Sequence, residues 1–270
     1  MIFFPNAKIN IGLKIRKRRS DGFHDIETFF YPVRIFDICE FIESNQNKTT
    51  LTISGRKIDC PPEKNLVYKA YQILCESYNL PPLKIHLHKN IPDGAGLGGG
   101  SSDASFMLLN ISKYFGLDVP IPKLKKIATS LGSDCPFFIE NNPSIGYGRG
   151  EITEPVDINL SGYYFYIVFP GINIRTKEAY SNVQPTIPDN PIKSIVKEPI
   201  ANWRNLLTND FEEHIFKKYP MLKRIKDLLY ENGAVYAAMS GSGSTMYGIF
   251  NKQVPDISEF GSYMKWIVKA

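Results

Sequence analysis

Five glycines crowd into the seven residues Gly94 to Gly100, within the run Pro92, Asp93, Gly94, Ala95, Gly96, Leu97, Gly98, Gly99, Gly100, Ser101 and Ser102. Glycine has no Cβ to block a polyanion from the backbone, and it tolerates positive φ. Successive amides can then point into one concavity, an anion-binding nest. The run leads into Ser102 to Phe115, where Ala104, Met107, Leu108, Ile111 and Phe115 recur at helical spacing. The unpaired N–H groups and positive dipole end of such a helix attract a phosphate. Ser101 and Ser102 add hydroxyl donors. The chemistry this pattern points to is binding of nucleotide phosphates. A flexible linker is the competing reading, but linkers do not normally join a strand to an amphipathic helix.

Two familiar phosphate loops are excluded by their parts. A Walker loop ends in Gly-Lys-Ser or Gly-Lys-Thr, and this run ends Gly100-Ser101-Ser102-Asp103. A dinucleotide fingerprint can be laid on Gly94, Gly96 and Gly99, but it needs an acidic residue at a strand end about 20 residues on. Asp118 instead follows a predicted helix, in a loop.

Three further groups have chemistry to offer. In Pro5 to Leu13, Lys8 and Asn10 stand two residues apart and so share one face of a predicted strand. If that face is buried, the ammonium needs an anion; a solvated edge lysine is the alternative. Met239 to Thr245 (MSGSGST) is a second glycine-serine loop, able to close over the first or to serve as a plain hairpin turn. Asp134, in GSDCPFF, sits at a helix end before a proline break, where capping is the ordinary use of an aspartate. Phosphoryl transfer needs a carboxylate near the acceptor hydroxyl and a cation near the moving group. Lys8 and Asp134 are the candidates.

The elements that must position these residues form a mixed α+β pattern with strands and helices segregated. Strands are expected at Ile9 to Ile15, Ile26 to Val33, Ile35 to Ser44, Thr49 to Ile53, Leu83 to Leu87 and Tyr163 to Phe169, with a pair between Gly233 and Phe250. Helices are expected at Asn65 to Tyr78, Ser102 to Phe115, Ile121 to Leu131, Asn202 to Phe216 and Met221 to Asn232. Composition loosens between Asn141 and Leu160, which places a domain boundary near residue 150 and suggests domains 1–150 and 151–270. Gln184 to Pro199, with four prolines, reads as an irregular connection. The last segment, Ile257 to Val268, is free to pack back on the first domain.

With 43% hydrophobic residues, the 270-residue chain can bury a sizeable core. Its 32 basic and 27 acidic residues give +5, and the one dense basic cluster, Lys14 and Arg16 to Arg19, precedes a Ser20-Asp21-Gly22 turn. A solvated hairpin tip accounts for it, or an electrostatic guide for an anionic substrate. No aromatic platform for single strands accompanies it, so nucleic acid is not an expected partner. Cys39, Cys60, Cys75 and Cys135 lack metal-like pairing, no apolar run is long enough for a membrane, and the opening residues do not resemble a signal peptide. A soluble protein of the reducing cytoplasm is expected, as a monomer or weak homodimer.

PNAKINIGL, PDGAGLGGGSSDAS and MSGSGSTMYG together resemble the three motifs of the GHMP kinase family. RRSDGFHDIETFF and GSDCPFF are similar to the branch whose acceptor is a diphosphocytidyl-linked methylerythritol, used in non-mevalonate isoprenoid synthesis. The resemblance runs from Pro5 to about Phe250. It implies a β-rich N-terminal domain with a left-handed βαβ unit, a ferredoxin-like C-terminal domain and an active site in the cleft between them. It implies ATP as co-substrate, with Mg²⁺ delivered on the nucleotide, and transfer of the γ-phosphoryl to the acceptor's 2-hydroxyl. Asp134 would be the general base and Lys8 its stabilising cation. Pro92 to Ser102 would hold the triphosphate, with Asn65 and Lys89 beside the adenine or ribose. Asn10, His24, Thr176, Gly241 and Ser242 would contact the acceptor, His24 through the cytosine edge. Phe23, commonly Tyr in the family, and Tyr180 would sandwich the cytosine; Lys177 departs from the small or proline residue expected there. Another GHMP kinase, of homoserine or mevalonate type, and a non-catalytic nucleotide-binding regulator are the alternatives. The cytosine-reading histidine of DGFH argues against the first, and the presence of both Lys8 and Asp134 against the second.

Overall fold

The computed structural model describes residues 1–270 except Asn182, 187–189 and Pro255. In chain order the elements are β1 (Ile2–Phe3), β2 (Asn6–Arg18), β3 (His24–Phe36), β4 (Ile38–Glu43), β5 (Thr50–Gly55), α1 (Leu66–Tyr78), β6 (Leu83–Lys89), α2 (Gly99–Tyr114), α3 (Ile121–Leu131) and α4 (Cys135–Glu140). They continue with β7 (Ser144–Tyr147), β8 (Ile152–Pro155), β9 (Tyr164–Phe169), α5 (Thr176–Tyr180), α6 (Ile192–Ile195), α7 (Ile200–Leu206), α8 (Glu212–Lys218), α9 (Pro220–Glu231), β10 (Tyr236–Met239), β11 (Met246–Phe250) and β12 (Met264–Lys269). By contacts the chain groups into two units. The first is Met1–Ala7, Ile35–Asp93 and Gly98–Asn142; the second is Lys8–Arg34, Gly94–Leu97 and Pro143–Ala270.

The first unit is a four-stranded sheet of order β1-β4-β6-β5 packed on α1 to α4. β5 and β6 are parallel and joined through α1, a βαβ unit, whereas β4 runs antiparallel to β6. The period-two pattern of Leu83, Ile85 and Leu87 puts these three inside, against Val67, Ala70 and Leu74 of α1 and Met107, Leu108 and Ile111 of α2. α1 starts where Asn65 Oδ1 accepts the Val67 N–H at 2.9 Å.

The second unit holds most of a sheet of order β2-β3-β7-β8 and the whole of an antiparallel sheet of order β10-β11-β9-β12. In the latter, the strand order and the crossover from β9 through helices to β10 are those of the ferredoxin-like split βαβ arrangement. The connection between β11 and β12 carries only the short turn Ser258–Phe260 in place of a second long helix. The last segment enters this sheet as β12, paired with β9. Its core gathers Tyr166, Val168, Ile215, Leu222, Ile225, Leu229 and Phe260.

Several local expectations shift. α2 begins at Gly99, three residues before the apolar periodicity does, because glycines without side chains carry no period. Within the loose stretch 141–160, β7 and β8 form by pairing, β7 along β3 and β8 along β7. The single helix expected over 202–216 is two. Leu207 turns extended, and Leu13 exchanges backbone hydrogen bonds with Thr208 and Asp210. A short helix, α6, interrupts the connection read as irregular, of which residues 187–189 lie outside those described. In the basic cluster, Lys14 pairs with Asp210, Arg16 with Glu27, and Arg19 with Asp21 and Asp25. All four cysteines are free thiols, and among the described residues no helix is long and apolar enough to cross a membrane.

One buried ion cluster stands inside the first unit. Lys89 Nζ donates to Asp37 Oδ2 and, at 2.7 Å, to Asp103 Oδ2, and all three side chains are at most 2% exposed. Burial, then the charge of Asp37, outweigh the pull of Lys89 and raise the Asp103 carboxyl from its ordinary 3.8 to about 7. For Lys89, burial lowers the pKa, but the two carboxylates more than offset it and the net shift is upward. A carboxyl whose folded pKa is raised stabilises the fold below its unfolded pKa and loses that contribution as pH climbs towards the folded value. The unfolding free energy of wild type, relative to Asp103→Asn, is therefore expected to fall between about pH 4 and about pH 7. Urea unfolding of both proteins across that range measures it; a difference constant with pH would refute the shift.

Candidate active site

In the second unit, β2 carries Lys8 and Asn10 on one face, and both are buried, each 3% exposed. The backbone N–H of Lys8 donates to Leu97 O at 2.9 Å, and its ammonium donates to Gly96 O at 3.3 Å and to Asn10 Oδ1 at 2.5 Å. Asn10 is held in turn: its Nδ2 donates to Thr28 Oγ1, and its backbone carbonyl accepts from Tyr247 Oη. The turn between β10 and β11, the second glycine-serine loop, meets the same residues. Ser240 Oγ donates to Gly96 O at 2.8 Å, and Thr245 N donates to Ala95 O at 3.2 Å. Gly241, at φ +56°, leaves room for only 3.2 Å between an added Cβ and Asn10 Oδ1. Its carbonyl accepts from the buried Asn209, and Ser242 beside it is half-buried.

The carbonyls of Ala95, Gly96 and Leu97 are thus all engaged with β2 and the β10–β11 turn. In a planar trans peptide the next residue's N–H points opposite to the carbonyl. The amides of Gly96, Leu97 and Gly98 therefore face away from those acceptors. Positive φ at Gly94, Gly96 and Gly98 (61°, 80° and 70°) gives the alternation from which anion nests are made. Gly96 has a further constraint, because an added Cβ would fall on the Ser240 carbonyl.

In the first unit, Pro92 is buried and Asp93 exposed at the start of the run, and Gly98 caps α2 at its end. Gly99, Gly100, Ser101 and Ser102 form the first turn of α2, whose leading amides have no intrahelical acceptor. Ser102 is fully buried, and its Oγ has no hydrogen-bond partner among the described residues. A buried hydroxyl left in that condition is unfavourable by about 1–3 kcal/mol. α4 begins beside this turn: Ser105 Oγ donates to Cys135 O and to Ser101 O, both at 2.8 Å. Burial drives the Cys135 thiol up to about 11. Asp134 occupies the N-cap of α4 with helical backbone angles and makes no capping hydrogen bond with its carboxylate. Capping is therefore not the use of this aspartate. Asn65 and Lys89, expected beside the base or ribose, are engaged as the cap of α1 and in the ion cluster with Asp37 and Asp103.

The aromatic candidates lie in the second unit. His24 opens β3, and its ring stacks on Tyr180 with centroids 4.8 Å apart and planes 21° apart. Burial, then the charge of Arg18, hold its pKa below the ordinary 6.5, so the imidazole is neutral at pH 7. Tyr180 ends α5 and also meets Phe211 edge-on. Thr176, at the other end of α5, is exposed. Phe23 is half exposed, with the Arg149 guanidinium 4.8 Å from its ring centre. Sequence reasoning did not single out Arg149, Thr28, Ser240, Asp37 or Asp103. Asp103 lies inside the glycine motif itself, and Asp37 breaks an apolar stretch (Ile35, Phe36, Ile38) where a carboxylate needs a partner.

Among the described residues no three His, Cys, Asp or Glu side chains are grouped as a metal site. Replacing Gly96 with Ala is expected to destabilise the fold by about 1–3 kcal/mol from positive φ alone, with the Ser240 contact adding to it. Urea unfolding measures this, and wild-type stability in Gly96→Ala would show that the approach is not tight.

Comparison with known proteins bears on the whole chain. The family model for the GHMP kinases N terminal domain matches residues 65–142, and that for GHMP kinases C terminal matches 192–260. The 4-diphosphocytidyl-2-C-methyl-D-erythritol kinase of Parabacteroides distasonis is 50% identical over 252 residues, 93% of this chain and 92% of that one. The enzyme of that name from Azobacteroides pseudotrichonymphae is 50% identical over 261 residues, covering 96% and 97%. A crystal structure of 4-(cytidine 5'-diphospho)-2C-methyl-D-erythritol kinase superposes with TM-score 0.82 at 28% identity, over 99% of this chain and 98% of that one. The Methanococcus jannaschii mevalonate kinase, at TM-score 0.71 and 15% identity over 100% and 98%, shares the fold. With half of its residues identical to these enzymes over nearly its full length, the chain belongs to the GHMP kinases, in the family of 4-diphosphocytidyl-2-C-methyl-D-erythritol kinases, and is an ATP-dependent kinase.

Proposed function

We propose that this kinase transfers the γ-phosphoryl group of ATP to the 2-hydroxyl of 4-diphosphocytidyl-2-C-methyl-D-erythritol. The observation that carries the nucleotide half is the glycine run. Its carbonyls are turned inward, its alternate residues have positive φ, and it opens α2 beside the partnerless hydroxyl of Ser102. Amides and helix dipole then take the phosphates. Asn65 and Lys89 contribute backbone and apolar wall to the base pocket, their polar ends being engaged elsewhere. Mg²⁺ would arrive with ATP and would supply charge neutralisation to its phosphates.

Asp134 takes the proton of the acceptor hydroxyl as its oxygen bonds to the γ-phosphorus. The bond from the γ-phosphorus to the β–γ bridging oxygen breaks, and ADP leaves with that electron pair. Lys8 stabilises the charge on the transferring group. The place of Asp134 at the start of α4, which packs on the first turns of α2, supports the first role, and a buried ammonium bonded to Gly96 O supports the second. On the acceptor side, Asn10, Thr176, Gly241 and Ser242 contact the methylerythritol diphosphate, and His24 reads the cytosine edge. Tyr180 and Phe23 stack on the cytosine, each such contact being worth roughly 1–3 kcal/mol. Docking there exchanges the internal contacts of His24 with Tyr180 and of Arg149 with Phe23 for contacts with the ligand. The cytoplasm is the proposed compartment.

ADP release measured with the diphosphocytidyl acceptor, homoserine and mevalonate is the direct test. Turnover confined to the first is expected, and preference for either other acceptor would refute the proposal. Asp134→Ala should lower kcat by about 10²–10⁴-fold while ATP still binds; near-normal turnover would remove Asp134 as base. His24→Ala should raise KM for the cytidine acceptor far more than KM for ATP, and an equal rise in both would take the reading of cytosine from His24.

A further inference from the structure

The ion cluster of the first unit sits at both ends of the glycine run, and its charged groups take no part in the proposed chemistry. Lys89 is the last residue of β6, immediately before Asn90, Ile91 and Pro92. Asp37 Oδ1 accepts the backbone N–H groups of Asn90 at 2.6 Å and Ile91 at 2.8 Å, while its Oδ2 accepts from Lys89 Nζ. Asp103, at the far end, lies on the second turn of α2, and its Oδ2 accepts from the same ammonium at 2.7 Å. The ends are also in apolar contact range, since a Cβ on Gly99 would lie 2.8 Å from Ile91 Cγ2 and 3.3 Å from Lys89 Nζ. One ammonium therefore ties the residues before the run to the helix after it.

Stability alone is a poor reason for this arrangement. Two carboxylates and one ammonium in a core carry a large desolvation penalty, and apolar replacements of buried ion clusters are often neutral or stabilising. Asp103 Oδ1 has no hydrogen-bond partner among the described residues, which adds to the penalty. What the charges supply is directional geometry, because hydrogen bonds from one ammonium to two side chains constrain angle as well as separation, which non-directional apolar contacts do not. We propose that Asp37, Lys89 and Asp103 are positioning residues that set the separation of the two ends of the glycine run before nucleotide arrives. ATP then meets amides that are already aligned, and binding is not charged with ordering the loop. The inference rests on reading the run as the site of the ATP phosphates.

Asp103→Asn is expected to raise KM for ATP about tenfold and to leave KM for the acceptor within about twofold. A role in stability alone would lower the fraction of active enzyme and move neither KM, and that result overturns the proposal, as does an equal rise in both. Amide hydrogen exchange of wild-type enzyme, read by NMR with and without ATP, decides the matter if the variant does not fold. Without nucleotide, the Asn90 and Ile91 amides should be protected like those of β6, and ATP should add protection at Gly94 to Gly98. Fast exchange at Asn90 and Ile91 until ATP is added overturns the preset ends. If ATP protects no amide of the run, the phosphate reading itself fails, and this inference with it.

Discussion

The second unit's share of the glycine run is governed by how closely Gly96 approaches the Ser240 carbonyl. At that separation only hydrogen fits at the Cα, and the chain must hold positive φ. The carbonyls on either side are then engaged by Thr245 and Lys8, which fixes the peptide planes and with them the direction of the amides. Lys8 reaches this place because β2 is buried along most of its length. Asn10, Thr28 and Tyr247 hold the side chains beside it in register. A single contact thus accounts for the glycine at 96 and for its positive φ.

Much of this was legible in the sequence, for physical reasons. Glycines at alternate positions before an amphipathic stretch are rarely explained by anything except close approach and positive φ, so the run could be read without coordinates. The period of two that aligned Lys8 with Asn10 is a covalent fact of extended chain. By contrast, β7 and β8 have little local preference and exist because β3 offers an edge to β7. The break at Leu207 is equally non-local, since Leu13 draws Thr208 and Asp210 out of helical bonding. Partners chosen across two hundred residues leave no trace in a window of fifteen.

The charged residues show the same division. The family resemblance implies a place for Lys89 beside the base or ribose, and nothing in the sequence around it reveals the competing anions. Asp37 and Asp103 lie 52 and 14 residues from Lys89 along the chain, and both are within reach of its ammonium. Rings behave likewise. His24 and Tyr180, both expected at the acceptor's cytosine, stack on each other, a pairing that their separation along the chain hides from the sequence. Arg149 on Phe23 had no signal beyond being a cation after a glycine.

The division of the chain between its two units also bears on how it is made. The last residue of the first unit is Asn142, so all of that unit's strands and helices are synthesised before any of residues 143–270. The hairpin of β2 and β3, though made earlier, belongs with residues 143–270. At about 5–20 residues per second it waits on the order of ten seconds for β9 to β12. Throughout that interval Ile15, fully buried in the finished protein, lacks the Tyr166, Val168, Met239 and Met246 side chains with which it shares a core. The Lys14 to Arg19 cluster lies in this same hairpin, where Arg16 and Arg19 already have Glu27, Asp21 and Asp25 beside them, and only Lys14 waits for its acidic partner Asp210.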